Sequence, residues 1–148
     1  MKAYREYFSR QGMFENLLYP GIEQLLRELK QAGCKLYVAT LKPTVFSVQI
    51  LEHFGVAEYF DLILGSGLDG SFSQKSELIA AILEQARIPD KARTVMVGDT
   101  GYDILGAKEA GVASIGCLYG YGSEEELRVT GADRMVRDVA ELGKALLE

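Results

Sequence analysis

The segment TVMVGDTGYD, residues 94–103, gives the clearest indication of the fold of this chain. It begins with an apolar run at 94–97 that is typical of a buried strand, and it passes through Gly98 into a helix. Asp99 and Asp103 therefore come at the carboxyl end of a strand, where α/β proteins place metal and phosphate sites. Because they are four residues apart, the two carboxylates share one helix face and can point at one hard cation, directly or through water.

The same residues also have an ordinary structural interpretation. Asp99 or Thr100 is a good helix N-cap, and an acid in the first turn suits the helix dipole. The segment alone leaves both interpretations open. Other residues of a phosphate site, in the right order elsewhere in the chain, have to decide between them.

Composition bounds the class of protein. The chain has 148 residues, of which 48% are hydrophobic and 25% charged, and this suits one soluble domain with a substantial core. The formal net charge is -5 and the basic residues are scattered, which argues against a nucleic-acid partner. No apolar signal core or membrane-spanning run is present, and Cys34 and Cys117 form no metal-binding cluster. We expect a cytoplasmic protein with buried thiols and no membrane partner.

Helical and strand-like patterns alternate along the chain without an internal repeat or long linker. Apolar, often β-branched strands alternating with helices predict a parallel sheet covered by helices on both faces, a Rossmann-like α/β class. The predicted strands are Lys35–Ala39, Asp61–Leu64, Thr94–Gly98, Ala113–Leu118 and Arg134–Val136. The predicted helices are Ala3–Gln11, one opened by Pro20-Gly21 that runs through Gln31, one from Pro43 or Thr44 to His53, one from Ser73 or Gln74 to Ala86, Gly101–Ala110, Glu124–Val129 and Val139–Leu147.

Two further residues belong to the predicted carboxyl edge of the sheet. Thr40 ends the first predicted strand, where its hydroxyl could donate to a phosphoryl oxygen, although an ordinary strand-end cap is the alternative. Lys75 begins a helix, so its ammonium could approach the same edge, although a solvated surface lysine is the alternative.

The ordered set of strand-Thr, loop-Lys and strand-GDxxxD resembles the haloacid dehalogenase (HAD) superfamily, specifically its phosphoglycolate-phosphatase-like branch. The matching motif residues are Thr40 for the second motif, Lys75 for the third, and Asp99 with Asp103 for the acidic fourth. The surrounding phrases LYPG at 18–21, GAKEAG at 106–111 and GAD at 131–133 are also similar. The likeness covers nearly the whole chain.

The resemblance implies a Mg²⁺-dependent phosphomonoesterase that passes through an aspartyl-phosphate. Thr40 and Lys75 would be catalytic residues that bind the transferring phosphoryl group, while Asp99 and Asp103 would hold Mg²⁺. The partner would be a small phosphorylated metabolite. Phosphoglycolate, nucleoside monophosphates and sugar phosphates all stay open, because the cap that usually selects the substrate is nearly all missing.

The departure from the family concerns its first motif, a strand ending in Asp-x-Asp-x-Thr that carries the nucleophile. Neither this motif nor its strand is found in the sequence. Residues 1–18 resemble the last part of a helical cap with its linker, and residues 19–148 resemble a partial core. The resemblance therefore implies a truncated chain that is inactive alone, through native truncation, an incorrectly assigned start or an expressed fragment. A non-catalytic phosphate- and metal-binding or regulatory module is the alternative.

The missing strand has a structural consequence, because the family places it centrally, between the strands that end at Thr40 and Gly98. Its absence would leave two inner edges unpaired or force them together, and exposed edges invite association. We therefore expect marginal stability or homo-oligomerisation through this gap.

Other motifs have weaker claims. Asp69 echoes the missing motif but precedes the lysine, so a turn is preferred. GSGLDG at 65–70 matches GxGxxG, but its helix opens too late for a dinucleotide site. His53 is read as a partner of a helix C-terminus. The YGYG segment at 119–122 is either a pocket wall or a flexible loop. A response-regulator-like receiver is disfavoured by the motif order.

Overall fold

A computed structural model describes residues 6–9, 21–67, 69–88, 90–120 and 122–147. In this part of the chain six strands form one sheet with helices on both faces, which confirms the α/β class. The strands are β1 Glu6–Ser9, β2 Lys35–Pro43, β3 Leu62–Ser66, β4 Thr94–Gly98, β5 Ala113–Cys117 and β6 Arg134–Val136. The α-helices are α1 Ile22–Gln31, α2 Thr44–His53, α3 Lys75–Gln85, α4 Gly101–Ala110, α5 Glu124–Thr130 and α6 Val139–Leu147. None of the described helices is long and apolar enough to cross a membrane.

The strand order positions the candidate site. The sheet runs β3-β2-β1-β4-β5-β6 and all neighbouring strands are parallel, so every carboxyl end lies at the same edge. The chain moves outward on one side of β1 through β2 and β3, and on the other side through β4, β5 and β6. Such a reversal of strand order is where open α/β sheets form a ligand crevice. Thr40 lies near the carboxyl end of β2 and Asp99 directly follows β4, on the two sides of this point.

The central strand β1 corrects two expectations. The predicted helix Ala3–Gln11 is wrong where the structure describes it, because Glu6–Ser9 is a strand. This strand pairs with β2 from Glu6↔Lys35 to Ser9↔Val38 and with β4 from Glu6↔Thr94 to Ser9↔Val97. The sheet therefore has a central strand, β1, where a gap was expected. The expectation of association through that gap is no longer supported.

The reason for the error is tertiary. The predicted helix was based on Tyr4, Tyr7 and Phe8 sharing one helix face, but Tyr7 and Phe8 also have high β propensity, so the local pattern is ambiguous. Two neighbouring strands with open inner edges supply backbone partners on both sides, and these outweigh a weak helical preference. The remainder of the predicted cap remnant, residues 1–5 and 10–18, lies outside the described part of the chain.

Strand β2 is longer than predicted, and Thr40 lies within it. The prediction ended at Ala39, whereas the structure continues to Pro43 because β3 pairs again at Pro43↔Ser66. The register shifts between Ala39 and Pro43, as at a β-bulge or a similar irregularity. A bulge re-aims the side chains around it. The strand therefore presents Thr40 at an irregular point.

The core has two layers, one on each face of the sheet. Alternate β2 residues go to opposite layers: Leu36 and Val38 join the layer under α1 and α6, while Tyr37 and Ala39 join the layer under α3 and α4. Burial on both faces explains why the strands are apolar throughout. Both cysteines are free and buried, as predicted. The polar residues at the carboxyl edge are set against this packed scaffold.

Candidate functional site

The four predicted site residues are all buried near the carboxyl edge. The exposed fraction is 3% for Thr40, 6% for Lys75, 1% for Asp99 and 0% for Asp103. Lys75 is the first residue of α3, Asp99 follows β4, and Asp103 lies in the first turn of α4. Charged groups are rarely buried unless they are paired, so their contacts decide what this cluster can do.

Lys75 links three elements. Its Nζ donates to Ala39 O on β2 at 2.8 Å and lies 3.1 Å from Asp103 Oδ1 on α4. Gly106 makes this possible, because a Cβ there would lie 2.7 Å from Lys75 Cγ. The alternative interpretation of Lys75 as a solvated surface lysine is therefore wrong. Its ammonium is fixed at the sheet edge, where it can attract an anion.

Asp103 uses its two carboxylate oxygens differently. Oδ1 faces Lys75, while Oδ2 accepts from Asp99 N at 3.1 Å and from Thr100 N at 3.2 Å. Thr100 is the N-cap of α4 and forms a capping box with Asp103. The capping interpretation is thus correct for Thr100 and Asp103, and it holds the turn that carries Asp99.

Gly98 is required by this arrangement. A Cβ at Gly98 would overlap Asp103 Cβ, Cγ and Oδ2. The absence of a side chain at Gly98 therefore allows a close approach of strand β4 to the Asp103 side chain. A residue with any side chain at 98 would displace the carboxylate that organises the turn.

Asp99 is enclosed by the segment after β5. Gly122 N donates to Asp99 O at 2.8 Å, and a Cβ at Gly120 would overlap the Asp99 side chain. Gly120 and Gly122 thus pack on the candidate metal ligand. Tyr121 lies outside the described residues. The sequence indicated a pocket wall or a flexible loop here but did not indicate the contact with Asp99. The glycines directly after a strand were the available signal.

Thr40 adds a hydroxyl to the edge. Its Oγ1 accepts from Lys42 N at 3.2 Å, which fixes the oxygen beside the bulge. A hydroxyl that accepts one hydrogen bond can still donate its proton. The contact with Lys42 N is the strand-end cap that the sequence left open as the alternative. Donation by Thr40 to an anion stays a prediction.

The charges of this cluster favour a cation. Two buried carboxylates, Asp99 and Asp103, are accompanied by one buried ammonium, that of Lys75. No group of three or more His, Cys, Asp or Glu side chains that could hold a metal was found among the described residues. Mg²⁺ commonly uses only one or two carboxylates and completes its octahedron with waters and substrate phosphate oxygens. The oxygen-only donor set and its small number of carboxylates fit this ion.

Cys117 lies at the end of β5 near the same carboxylates but is chemically inert. Burial raises the pKa of its thiol to about 12, the Asp99 and Asp103 charges add to the rise, and a Tyr119 hydrogen bond opposes it. Metal ligation and nucleophilic attack need the thiolate. Cys117 therefore contributes packing rather than chemistry.

Two weaker candidates lie elsewhere. Asp69 is exposed, and its Oδ1 accepts from Ser71 N at 3.0 Å, an interaction that lowers the pKa of the carboxyl. This is the geometry of a turn, as preferred from the sequence. His53 occupies the last turn of α2 and contacts Phe54 edge-on, with ring centroids 5.3 Å apart. Neither residue contributes to the buried cluster.

A cavity of about 380 Å³ opens beside Lys75 between α3 and α4. Leu41, Tyr102 and Leu105 line it, together with the polar side chains of Gln74 and Glu109. The three apolar side chains are each more than two fifths exposed. The cluster thus has an accessible space of small-molecule size next to its lysine.

Comparison with protein families gives a match over most of the chain. The profile of the family described as haloacid dehalogenase-like hydrolase matches residues 3–111. A 5'-nucleotidase from Pseudomonas aeruginosa is 43% identical over 143 residues, 97% of this chain and 64% of its own length. A phosphoglycolate phosphatase from Vibrio parahaemolyticus is 34% identical over 143 residues, 95% of this chain and 61% of its own length.

Solved structures show the same fold. The crystal structure of a predicted phosphatase from Clostridium acetobutylicum superposes with a TM-score of 0.86 at 51% identity. That match covers 90% of this chain and 62% of the other. The chain therefore spans less than two thirds of the length of these relatives.

Proposed function

Because the chain belongs to the haloacid dehalogenase-like hydrolase family, we propose that it carries the phosphate- and Mg²⁺-binding residues of a phosphomonoester hydrolase. The observation that supports this most directly is the contact of Lys75 Nζ with both Ala39 O and Asp103 Oδ1. This contact joins the phosphate-binding and metal-binding parts of the cluster at one sheet edge.

The phosphate part consists of Thr40 and Lys75. The ammonium of Lys75 offsets negative charge on a phosphoryl group, and its contacts with Ala39 O and Asp103 hold it in place before the substrate arrives. The Thr40 hydroxyl donates to a second phosphoryl oxygen. Preorganised donors of this kind stabilise charge in the transition state without reorganising.

The metal part consists of Asp99 and Asp103. Asp99 would hold the ion directly, whereas Asp103 would act behind it, because its oxygens already face Lys75 and the backbone of the turn. Bound Mg²⁺ would supply charge that offsets the phosphoryl oxygens. Asp103 and Lys75 then fix the orientation of the site in the absence of substrate.

We propose further that this chain does not turn over substrate by itself. The resemblance places the nucleophile in an Asp-x-Asp motif, and no such pair occurs in these 148 residues. The same absence favours the second candidate function, a non-catalytic module that binds phosphate and metal. Both candidates predict binding, and they differ in whether the complete protein hydrolyses its ligand.

The substrate class we propose is a small phosphorylated metabolite. Relatives named 5'-nucleotidase and phosphoglycolate phosphatase both act on compounds with a terminal phosphate. The cavity beside Lys75, about 380 Å³ in volume, has room for the organic part of such a molecule.

Binding and turnover are measured separately. Calorimetry with Mg²⁺, alone and with inorganic phosphate, is performed on the chain, on Asp99→Asn and on the control Glu84→Gln. Glu84 is exposed on α3, so it loses the same charge away from the cluster. We expect Asp99→Asn to weaken Mg²⁺ binding at least about tenfold and Glu84→Gln to leave it unchanged.

Turnover is followed with p-nitrophenyl phosphate and Mg²⁺. We expect the chain and Asp99→Asn to release phosphate at the same background rate. Mg²⁺ binding that survives Asp99→Asn would contradict the metal site. Turnover by the chain that Asp99→Asn abolishes would contradict inactivity and leave the phosphatase assignment in place.

A further inference from the structure

The turn between β4 and α4 is held from outside by the segment that follows β5. Gly122 N donates to Asp99 O at 2.8 Å, and Glu126 Oε2 accepts from Gly101 N at 2.5 Å. These contacts reach Asp99, the first residue after β4, and Gly101, the first residue of α4. Gly122 and Glu126, which lie four residues apart around the start of α5, therefore hold this turn on both sides.

Glu126 is itself fixed on α5. Ser123 is the N-cap of this helix and its Oγ accepts from Glu126 N at 3.0 Å, while Thr130 Oγ1 donates to Glu126 O at 2.7 Å. The two helices also pack closely, because a Cβ on Gly101 would lie 2.9 Å from Thr130 Cγ2. The carboxylate of Glu126 is thus held in a defined position beside Gly101 N.

The backbone donors of the turn are directed at the chain's own carboxylates. Asp103 Oδ2 accepts from Asp99 N and Thr100 N, and Glu126 Oε2 accepts from Gly101 N. Free N–H groups at a helix start are a common phosphate site. Here the N–H groups of Asp99, Thr100 and Gly101 are already bonded, so these donors orient Asp99, and we assign phosphate binding to Thr40 and Lys75.

We propose that Glu126 is a positioning residue for Asp99, and that α5 braces the metal-binding turn through it. This inference rests on the proposed metal site. Partners behind a ligand commonly change metal affinity without touching the ion. Glu126 acts in this way through the backbone of Gly101, two residues from Asp99.

The test compares Mn²⁺ affinity, measured by calorimetry, in the whole chain and in Glu126→Ala, Glu126→Gln and Glu125→Ala. Glu125 is the adjacent exposed residue of α5, so its variant removes the same charge without touching the turn. We expect Glu126→Ala to weaken Mn²⁺ binding about tenfold relative to Glu125→Ala. Glu126→Gln should retain most of the affinity, because its amide oxygen can still accept from Gly101 N.

Two results would overturn the proposal. Equal Mn²⁺ affinity in Glu126→Ala and Glu125→Ala would reduce Glu126 to a helix-stabilising residue. Equal weakening in Glu126→Ala and Glu126→Gln would assign the effect to charge rather than to positioning.

A second measurement separates this proposal from the proposed function. Amide hydrogen exchange at Asp99–Gly101 is followed without metal in the same variants. Faster exchange in Glu126→Ala than in Glu125→Ala supports the brace even where the unmodified chain binds no Mn²⁺, a result that would count against the metal site alone. Equal exchange in the two variants would exclude the brace.

Discussion

Lys75 Nζ lies 3.1 Å from Asp103 Oδ1, and the side chains of the two residues are 4% and 0% exposed. This buried ion pair joins the first residue of α3 to the first turn of α4. Burying two charges is costly, and their attraction offsets this cost only while both partners are present. The pair therefore makes the geometry of the candidate site depend on the fold, and the stability of the fold depend on the site.

Removing one member of the pair should destabilise the protein strongly. We expect Asp103→Asn to lower the free energy of unfolding by about 3–5 kcal/mol, because the ammonium of Lys75 is left buried without its counter-charge. Urea denaturation measures the change. The control is the double variant Lys75→Met with Asp103→Leu, which should recover part of the loss because neither member of the pair is left as an unpaired buried charge. A loss below about 1 kcal/mol in Asp103→Asn would place the pair among exposed ones.

Gly98 and Gly116 offer a matched comparison, because they are register partners on β4 and β5. A Cβ at Gly98 would overlap the fixed side chain of Asp103, whereas one at Gly116 would meet the movable end of Leu127, 3.0 Å away. We expect Gly98→Ala to cost about 1–3 kcal/mol, and more than Gly116→Ala. Thermal unfolding of the two variants gives the comparison. A larger cost at Gly116 would show that the Asp103 turn moves aside easily.

The ends of α1 and α3 have similar geometry but different residues. Gly33 and Arg87 both follow the C-cap with positive φ, 88° and 55°, and the next amide reaches back to Leu29 O or Leu83 O. Left-handed backbone disfavours residues with a Cβ. We expect Arg87→Gly to stabilise the protein, and Gly33→Ala to destabilise it, each by about 1 kcal/mol in denaturant unfolding. Arg87 is exposed, so a destabilised Arg87→Gly would mean that its side chain has a packing role.

Because of Cys117, we expect the free energy of unfolding to fall as the pH rises in the alkaline range. Its pKa is raised from 9.0 to about 12 in the folded protein, so above about pH 9 the unfolded state loses a proton that the folded state keeps. Stability contributed by the neutral thiol is thus present below pH 9 and is lost as the pH rises toward 12.

The measurement is urea denaturation of the chain and of Cys117→Ala between pH 8 and pH 10.5. The difference in the free energy of unfolding between the unmodified chain and Cys117→Ala should shrink as the pH rises, because alanine does not titrate. An advantage that stays constant would mean that the thiol ionises equally in both states.

The candidate site was predictable because each member has a local pattern. Asp99 and Asp103 follow an apolar strand at helical spacing, Lys75 begins a helix, and Thr40 follows an apolar run. Glu126 had no such pattern, since its partner Gly101 is 25 residues away and the acidic start of α5 looks like ordinary helix capping. The burial of Lys75 was equally hidden, because its partners Ala39 and Asp103 come from other elements.

From the sequence alone, the alternation of strands and helices, the α/β class and the residue types at the carboxyl edge were determined, because periodicity and turn residues act over a few positions. Tertiary structure decided that Glu6–Ser9 is the central strand, and that Asp103 faces Lys75 while it caps α4. These outcomes depend on which open strand edge or buried charge lies nearby in space. The spatial positions of these strand edges and charges are set only when the sheet has assembled.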